Sequence, residues 1–285
     1  MTPQVQLVHV FPAEPGGGNP APIVVDADDM SDHDMQAVAR SYGHESGFVL
    51  SAPPGADHDY ELRFWVPDHE MSMCGHATVG AVWLLDRLGR LPGGDVRLLT
   101  RSGAVTARTT DDGAEVTQPS GQLEPVADDA VPAILDILRI TAADLAPQPI
   151  RNARTSRVKT LVPVADVSVL DGLRPDFDRV HQVCDLIAST GLYPYAPSDP
   201  TRQVFDARQF PRSSGYPEDA ATGIAAAALA FGLLAQGSVA PDSRPIHIRQ
   251  GRAMGRPSEI AVRFILRDGA VDGVWLGGRV TGERG

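Results

Sequence analysis

Two short segments of this 285-residue chain carry the residue types that could do chemistry. Met73-Cys74-Gly75-His76-Ala77-Thr78 leads into the apolar stretch Val79–Leu88, and Asp219-Ala220-Ala221-Thr222-Gly223 leads into the alanine-rich stretch Ile224–Ala235. In both, small residues and a threonine stand where a helix should begin. A helix start presents backbone N–H groups with no intrahelical partner. With the positive end of the helix dipole, those donors suit a carboxylate or an oxyanion. Two such starts facing each other across a cleft would make a pocket for a small organic acid.

Around these starts, single side chains offer acid–base chemistry. Glu45, in Gly43-His44-Glu45, follows a predicted helix. As a buried carboxylate at the mouth of a cleft it would be a general base, and as an exposed one a solvated loop residue. Cys74 and His76 suggest a thiol–imidazole pair, yet catalytic dyads usually draw their partners from distant segments, so Cys74 can equally be a small buried residue. Cys184 lies on the apolar face of a predicted helix and reads as core. His76 fits a neutral hydrogen-bonding partner beside an acid. Asp219 could bind a substrate amine or hydroxyl, or favour the helix start as a capping acid.

Other chemistries find little support. His69-Glu70 and His76 do not form a His-Glu-x-x-His motif, and no cluster supplies three ligands at recognisable spacing, so no metal is expected. Gly16-Gly17-Gly18 lacks the spacing and helix context of a dinucleotide loop, and no Walker-type loop is present, so no cofactor is implied.

The elements that must position these residues can be read as one plan used twice. Ser31 reads as the N-cap of a helix ending at Gly43; strands follow at 47–50 and 60–66, then the Cys74 turn and its helix, then strands at 96–100 and 104–108. The second half repeats the order: a helix over about 176–190, strands at 192–195 and 203–210, the Thr222-Gly223 turn with its helix, and strands at 246–250 and 260–266. The proline- and aspartate-containing region 119–132 marks the seam. The division expected is residues 1–118 and 119–285, with the C-terminal strand able to cross back to the first lobe. Long apolar helices after the two turns suit mixed sheets wrapping a central helix in each half.

Composition narrows the function class. The formal net charge of −11 comes without any lysine or arginine run, which argues against nucleic-acid binding. Hydrophobic residues make up 42% and charged residues 21%, as in a soluble protein with ample core. The most apolar stretch, 223–235, is shorter than the roughly 20 residues a membrane helix needs, so no membrane partner is expected. Val5–Phe11 alternates like a strand rather than a signal core, and two cysteines do not make a disulfide framework; a reducing cytoplasm is the expected location.

Taken as a set, the motifs resemble those of the PhzF-like isomerases, the phenazine-biosynthesis branch of the diaminopimelate epimerase fold. The matching segments are Val10-Phe11 with Gly18-Asn19-Pro20, His44-Glu45-Ser46-Gly47-Phe48-Val49, Met73–Thr78, Pro217–Gly223 and Met254-Gly255-Arg256-Pro257-Ser258. The resemblance implies an α+β fold of two pseudo-symmetric lobes, each a mixed sheet curled around a central helix, and commonly a homodimer. It implies cofactor-free proton transfer in which Glu45 moves a proton and His76 and Asp219 assist. Amides of Gly75, His76, Gly223 and Ile224 would hold a substrate carboxylate, with Asn19, Cys74 and Thr222 lining the site.

One departure stands out. The phenazine enzyme has a serine at the position of Ile224, so a hydroxyl contact is lost and a less polar substrate is implied. The racemase relatives use two opposed cysteines; here Cys74 faces only Ala220-Ala221 in the corresponding turn, so a two-thiol mechanism cannot be built. The expectation is an isomerase shifting a proton within a small unsaturated carboxylate-bearing ring, in phenazine-like or other antibiotic biosynthesis. An amino-acid racemase pairing Glu45 with Cys74, or a non-catalytic small-acid-binding protein, are the alternatives.

Overall fold

In the computed structural model, which describes residues 4–282, the chain divides into two compact units. Residues up to Thr117 join those from Trp275 onward, and Gln118–Val274 form the other unit. Each mixes parallel and antiparallel strands with few helices, an α+β arrangement.

In the first unit, β1 (Gln6–Val10), β2 (Asn19–Val24), β3 (Ser46–Ser51), β4 (Tyr60–Trp65), β5 (Glu70–Met71), β6 (Val96–Thr100), β7 (Gly103–Thr110) and β8 (Gly113–Gln118) are joined by the chain's last strand, Ala270–Gly282. Pairing runs β1–β2–β3–β4–β6–β7–β8 to the last strand, which pairs in turn with β1 and closes the ring. Helix α1 (Asp32–Tyr42) begins with a capping box, the Ser31 hydroxyl and the Asp34 carboxylate each accepting the other's backbone N–H, and ends on Gly43 at φ 67°. Its Met35 and Ala39 pack against Val24, Phe48 and Trp65. Helix α2 (Gly75–Arg87) contacts β1, β2, β3 and β7 and is buried almost all round, as its apolar sequence requires. Gly80 lets it approach β1: a Cβ there would stand 2.9 Å from Val8 Cγ2 and 3.1 Å from Val10 Cγ2.

In the second unit, β9 (Gln122–Pro125), β10 (Arg151–Arg154), β11 (Val158–Pro163), β12 (Gly191–Asp199), β13 (Val204–Ala207), β14 (Phe210–Pro211), β15 (Ile246–Gln250) and β16 (Ser258–Arg267) precede β17, the last strand. Pairing runs β9–β10–β11–β12–β13–β15–β16, with β14 on β12. Helices α3 (Val131–Leu138), α4 (Val167–Gly172) and α5 (Val180–Leu186) share a core with Leu192 and Phe210, where Cys184 is fully buried. Helix α6 (Gly223–Ala235) contacts β9, β10, β11 and β16, and its residues through Leu233 are buried.

Two expected elements differ. The helix expected over 176–190 is a 3-10 turn, Phe177–Arg179, followed by the shorter α5. Ala188 takes φ 52° and Ser189 N–H donates to the Cys184 carbonyl at 2.8 Å, which ends the helix in a Schellman closure with alanine where glycine is usual. The strand expected over 203–210 is interrupted after Ala207, where the Arg208 N–H bonds the Pro194 carbonyl and the Arg208 side chain is buried. Among the described residues no helix is long and apolar enough to cross a membrane.

Candidate active site

The first centre is built where α1, β3 and α2 deliver their ends. Gly43 stops α1 through a 2.9 Å bond from its N–H to the Ala39 carbonyl, and Ser46 begins β3 opposite Trp65, so the intervening His44-Glu45 is held at both ends. Ser46 is fully buried, and its hydroxyl donates to the His44 carbonyl at 3.1 Å. Cys74 is the N-cap of α2 with extended backbone, and its thiol does not cap the helix. It donates instead to Glu45 Oε2 at 2.9 Å. His76 Nδ1 lies 3.4 Å from the same sulfur and 3.5 Å from the same carboxylate oxygen. The His76 and Glu45 side chains are 5% and 12% exposed, so all three contacts are made with little water.

Two features of this arrangement go beyond what spacing showed. Cys74 and His76, separated by one glycine, do meet: the extended N-cap followed by the first two helical residues brings the sulfur alongside the imidazole. Three potential metal-ligating atoms also gather, because Glu45 arrives from a distant segment that no local spacing pattern would reveal. His76 Nε2 is buried with no hydrogen-bond partner among the described residues.

Amide donors complete this centre. The first turn of α2 contains no acidic side chain and the Cys74 side chain does not cap it, so the N–H groups of Gly75 and His76 stand at a positive helix end beside the Glu45 carboxylate. Asn19 opens β2, 8% exposed and paired with Val10. Gly18 positions it at φ 87°, where a Cβ would stand 2.9 Å from the Val10 carbonyl oxygen.

The second centre is a hydrogen-bond network with fewer ionisable groups. Asp219 N–H donates to the Gln209 carbonyl at 3.1 Å, and the Thr222 hydroxyl donates to the Asp219 carboxylate. Having made that bond, Thr222 does not cap α6, and the first turn of α6, which begins with the amides of Gly223 and Ile224, has no acidic residue. Gln250, at the end of β15, ties the turn together. Its amide nitrogen donates to the Asp219 carbonyl at 2.7 Å and to Thr222 Oγ1 at 3.1 Å. Its oxygen accepts from Tyr193 at 2.9 Å and from Thr222 N–H at 3.3 Å. Burial, with the Asp219 charge nearby, pushes the Tyr193 hydroxyl well above its usual range, so it stays a proton donor. Ile224 is 6% exposed.

Sequence reasoning did not find Gln250, Tyr193 or the buried Arg208–Glu218 pair beside them. Arg208 donates two bonds to the Glu218 carboxylate, at 2.9 and 2.8 Å, and two to the carbonyls of Leu170 and Leu173, pinning the residue before Asp219. The available signal was Gln250-Gly251 at a strand exit: Gly251 takes φ 81°, and a Cβ there would stand 2.7 Å from the Ala220 carbonyl oxygen.

Similarity to known proteins runs along nearly the whole chain. The PhzC-PhzF family, described as phenazine biosynthesis-like protein, matches residues 8–281. The uncharacterized isomerase YddE of Escherichia coli O157:H7 is 30% identical over 98% of this chain and 95% of its own length. A PhzF-family phenazine biosynthesis protein of Bacillus anthracis shares the fold at TM-score 0.86, with 23% identity over 98% of this chain and 96% of that one. The fold extends, at TM-score 0.61 and 15% identity, to a hydroxyproline epimerase of Agrobacterium vitis, covering 98% of this chain and 90% of that one. A closed ring of strands around α2 and the Glu45–Cys74–His76 contact thus occur in a chain whose relatives are named isomerases, and the chain belongs to the PhzC-PhzF family of isomerases.

Proposed function

We propose that this isomerase shifts a proton between carbons of a small, unsaturated, carboxylate-bearing ring without a cofactor. The observation that carries the reading is the contact of Glu45 with both Cys74 and His76 at the uncapped start of α2. Glu45 takes the proton from a carbon made acidic by an adjacent double bond. The electron pair spreads over the conjugated system, and Glu45, its proton exchanging with solvent, delivers one proton to the far carbon, so the isomer carries as many hydrogens as the substrate. His76 stabilises the charge that develops, and the amides of Gly75 and His76 favour an anionic substrate group. Asp219 orients the substrate's polar groups, and Gly223 and Ile224 supply further amides. Ile224 favours a substrate less polar at that point than one requiring a hydroxyl contact.

The family resemblance further supports a diaminopimelate epimerase-like pair of pseudo-symmetric lobes, a homodimer, a cytoplasmic location and a place in specialised-metabolite synthesis. The test is proton exchange in heavy water with cyclic unsaturated acids: the wild type transfers deuterium into product, and Glu45→Gln does not. Undiminished turnover by Glu45→Gln would remove the proposal.

A second reading is favoured by the 2.9 Å contact between Cys74 Sγ and Glu45 Oε2, through which thiol and carboxylate can pass one proton between them on one face of a substrate. They would serve an epimerase acting at the Cα of a cyclic amino acid. That reading predicts exchange of the Cα hydrogen and its loss in Cys74→Ala; full activity of Cys74→Ala rejects it.

A further inference from the structure

The three side chains at the start of α2 also match the ligand preferences of zinc. Thiolate, imidazole nitrogen and carboxylate oxygen are its common protein donors. Here the donor atoms lie 2.9 Å (Cys74 Sγ to Glu45 Oε2), 3.4 Å (Cys74 Sγ to His76 Nδ1) and 3.5 Å (His76 Nδ1 to Glu45 Oε2) apart. Tetrahedral zinc, with bonds of about 2.3 Å to sulfur and about 2.0–2.1 Å to nitrogen and oxygen, spaces its donors roughly 3.3–3.6 Å apart. Two edges of the triangle fit already.

The third edge is short because the thiol donates a hydrogen bond across it. Metal binding removes that cause: the thiol proton leaves to solvent, the hydrogen bond is lost, and thiolate and carboxylate repel until the cation sits between them. One thiolate and one carboxylate then cancel the charge of a divalent ion, which limits the cost of burying it.

We propose that Glu45, Cys74 and His76 form a three-ligand site for zinc or a zinc-like divalent cation, and that the ion is a reversible blocker of the centre rather than a resident of it. The fourth tetrahedral position is left to water or to a carboxylate. Reversibility follows from His76. Resident metal sites orient the imidazole by a hydrogen bond from its other ring nitrogen, and loss of such a partner typically weakens binding about 10–100-fold. His76 Nε2 has no such partner among the described residues. The other thiol provides an internal control: Cys184 is buried in the α3–α5 core, and burial pushes its pKa up to about 11.

Metal binding stands without the proposed reaction; only the blocking effect rests on it. The test uses the full chain and Co²⁺ as probe. One equivalent per chain is expected, with tetrahedral visible bands and a sulfur-to-cobalt charge-transfer band, all displaced by Zn²⁺. Cys74→Ser abolishes the charge-transfer band, His76→Ala and Glu45→Gln weaken uptake at least tenfold, and Cys184→Ser leaves it unchanged. Absence of stoichiometric uptake by the folded chain, or an unaltered spectrum in Cys74→Ser, overturns the site. Zn²⁺ should also arrest solvent exchange into substrate and a chelator restore it. Cobalt bound with its thiolate band while exchange continues undiminished would overturn the blocking role and, separately, the placement of the proton-transferring base at Glu45.

Discussion

Helices α2 and α6 begin alike and are served differently. Both are 13 residues long, both start on glycine, and neither is capped by its own N-cap side chain or carries a first-turn acid. At α2 the neighbouring side chains are a carboxylate, a thiol and an imidazole in mutual contact. At α6 the carboxylate of Asp219 is bonded to Thr222, and the turn is tied by Gln250 and Tyr193. Groups that contact one another through exchangeable protons can trade them. A carboxylate fixed in an amide and hydroxyl network is better suited to holding a ligand in place. Under the proposed function, proton transfer falls to the first centre and orientation to the second.

The largest effect should expose that division directly. Glu45→Gln removes the base and should lower the rate of solvent exchange by roughly a hundred- to ten-thousandfold, the usual worth of a general base. Asp219→Asn keeps an acceptor for Thr222 and should cost only about tenfold, the low end of the roughly 1.5–3 kcal/mol of a hydrogen bond to a charged group. Equal losses in the two variants would erase the distinction. Next in size is Gly251→Ala. Its Cβ would lie 2.2 Å from the Arg256 carbonyl oxygen and 2.7 Å from that of Ala220, at a φ of 81° that an L side chain rarely adopts. Backbone must move, so a loss of about 1–3 kcal/mol is expected from denaturant unfolding. An unchanged midpoint would show the Ala220 turn to be softer than the network implies.

Tyr193→Phe is gentler. Gln250 Oε1 keeps its bond from Thr222 N–H, so the substitution should cost about 1 kcal/mol of stability and leave the Glu45 centre untouched. The informative readout is the split between kcat and KM: a positioning network predicts a raised KM for a carboxylate substrate with the pH profile of kcat preserved. A shifted profile would mean that Tyr193 titrates with the reaction.

What was legible in the sequence follows from how local each signal is. Ser31 with Asp34, and Gly43, fix both ends of α1 within a dozen residues, and the apolar runs after Cys74 and Thr222 mark the two central helices. The end of α5 was less legible because Ala188 adopts the left-handed conformation that glycine would have announced. The Glu45–Cys74–His76 contact joins residues 29 apart through one hydrogen bond, and Tyr193 meets Gln250 across 57 residues. Only the strand order decides such meetings: β13 pairs with both β12 and β15, so it stands between the strand of Tyr193 and the strand of Gln250.

The smallest effect tests the second centre through its supporting strands. Glu259 on β16 faces Arg249 on β15, next to Gln250, and its carboxylate accepts from Arg249 Nε and contacts His247 Nδ1, both at 3.1 Å. The hydrogen bond with His247, then that with Arg249, lowers its pKa from 4.5 to about 2 despite partial burial. A depressed carboxyl pKa means that the folded chain holds the proton less tightly than the unfolded one. The contribution is therefore complete above about pH 4.5 and disappears as pH falls through about 2. The Glu259 side chain is 34% exposed, so solvent screening limits the pair to about 1 kcal/mol or less. Glu259→Gln should lower Tm slightly at neutral pH, and the gap from wild type should narrow steadily on acidification below about pH 4.5. Exchange chemistry at Glu45 should not change, because none of these contacts touches α2. A Tm gap that persists unchanged on acidification would trace the loss to packing of β15 on β16 rather than to charge, and would leave Gln250 positioned by its neighbours' shape alone.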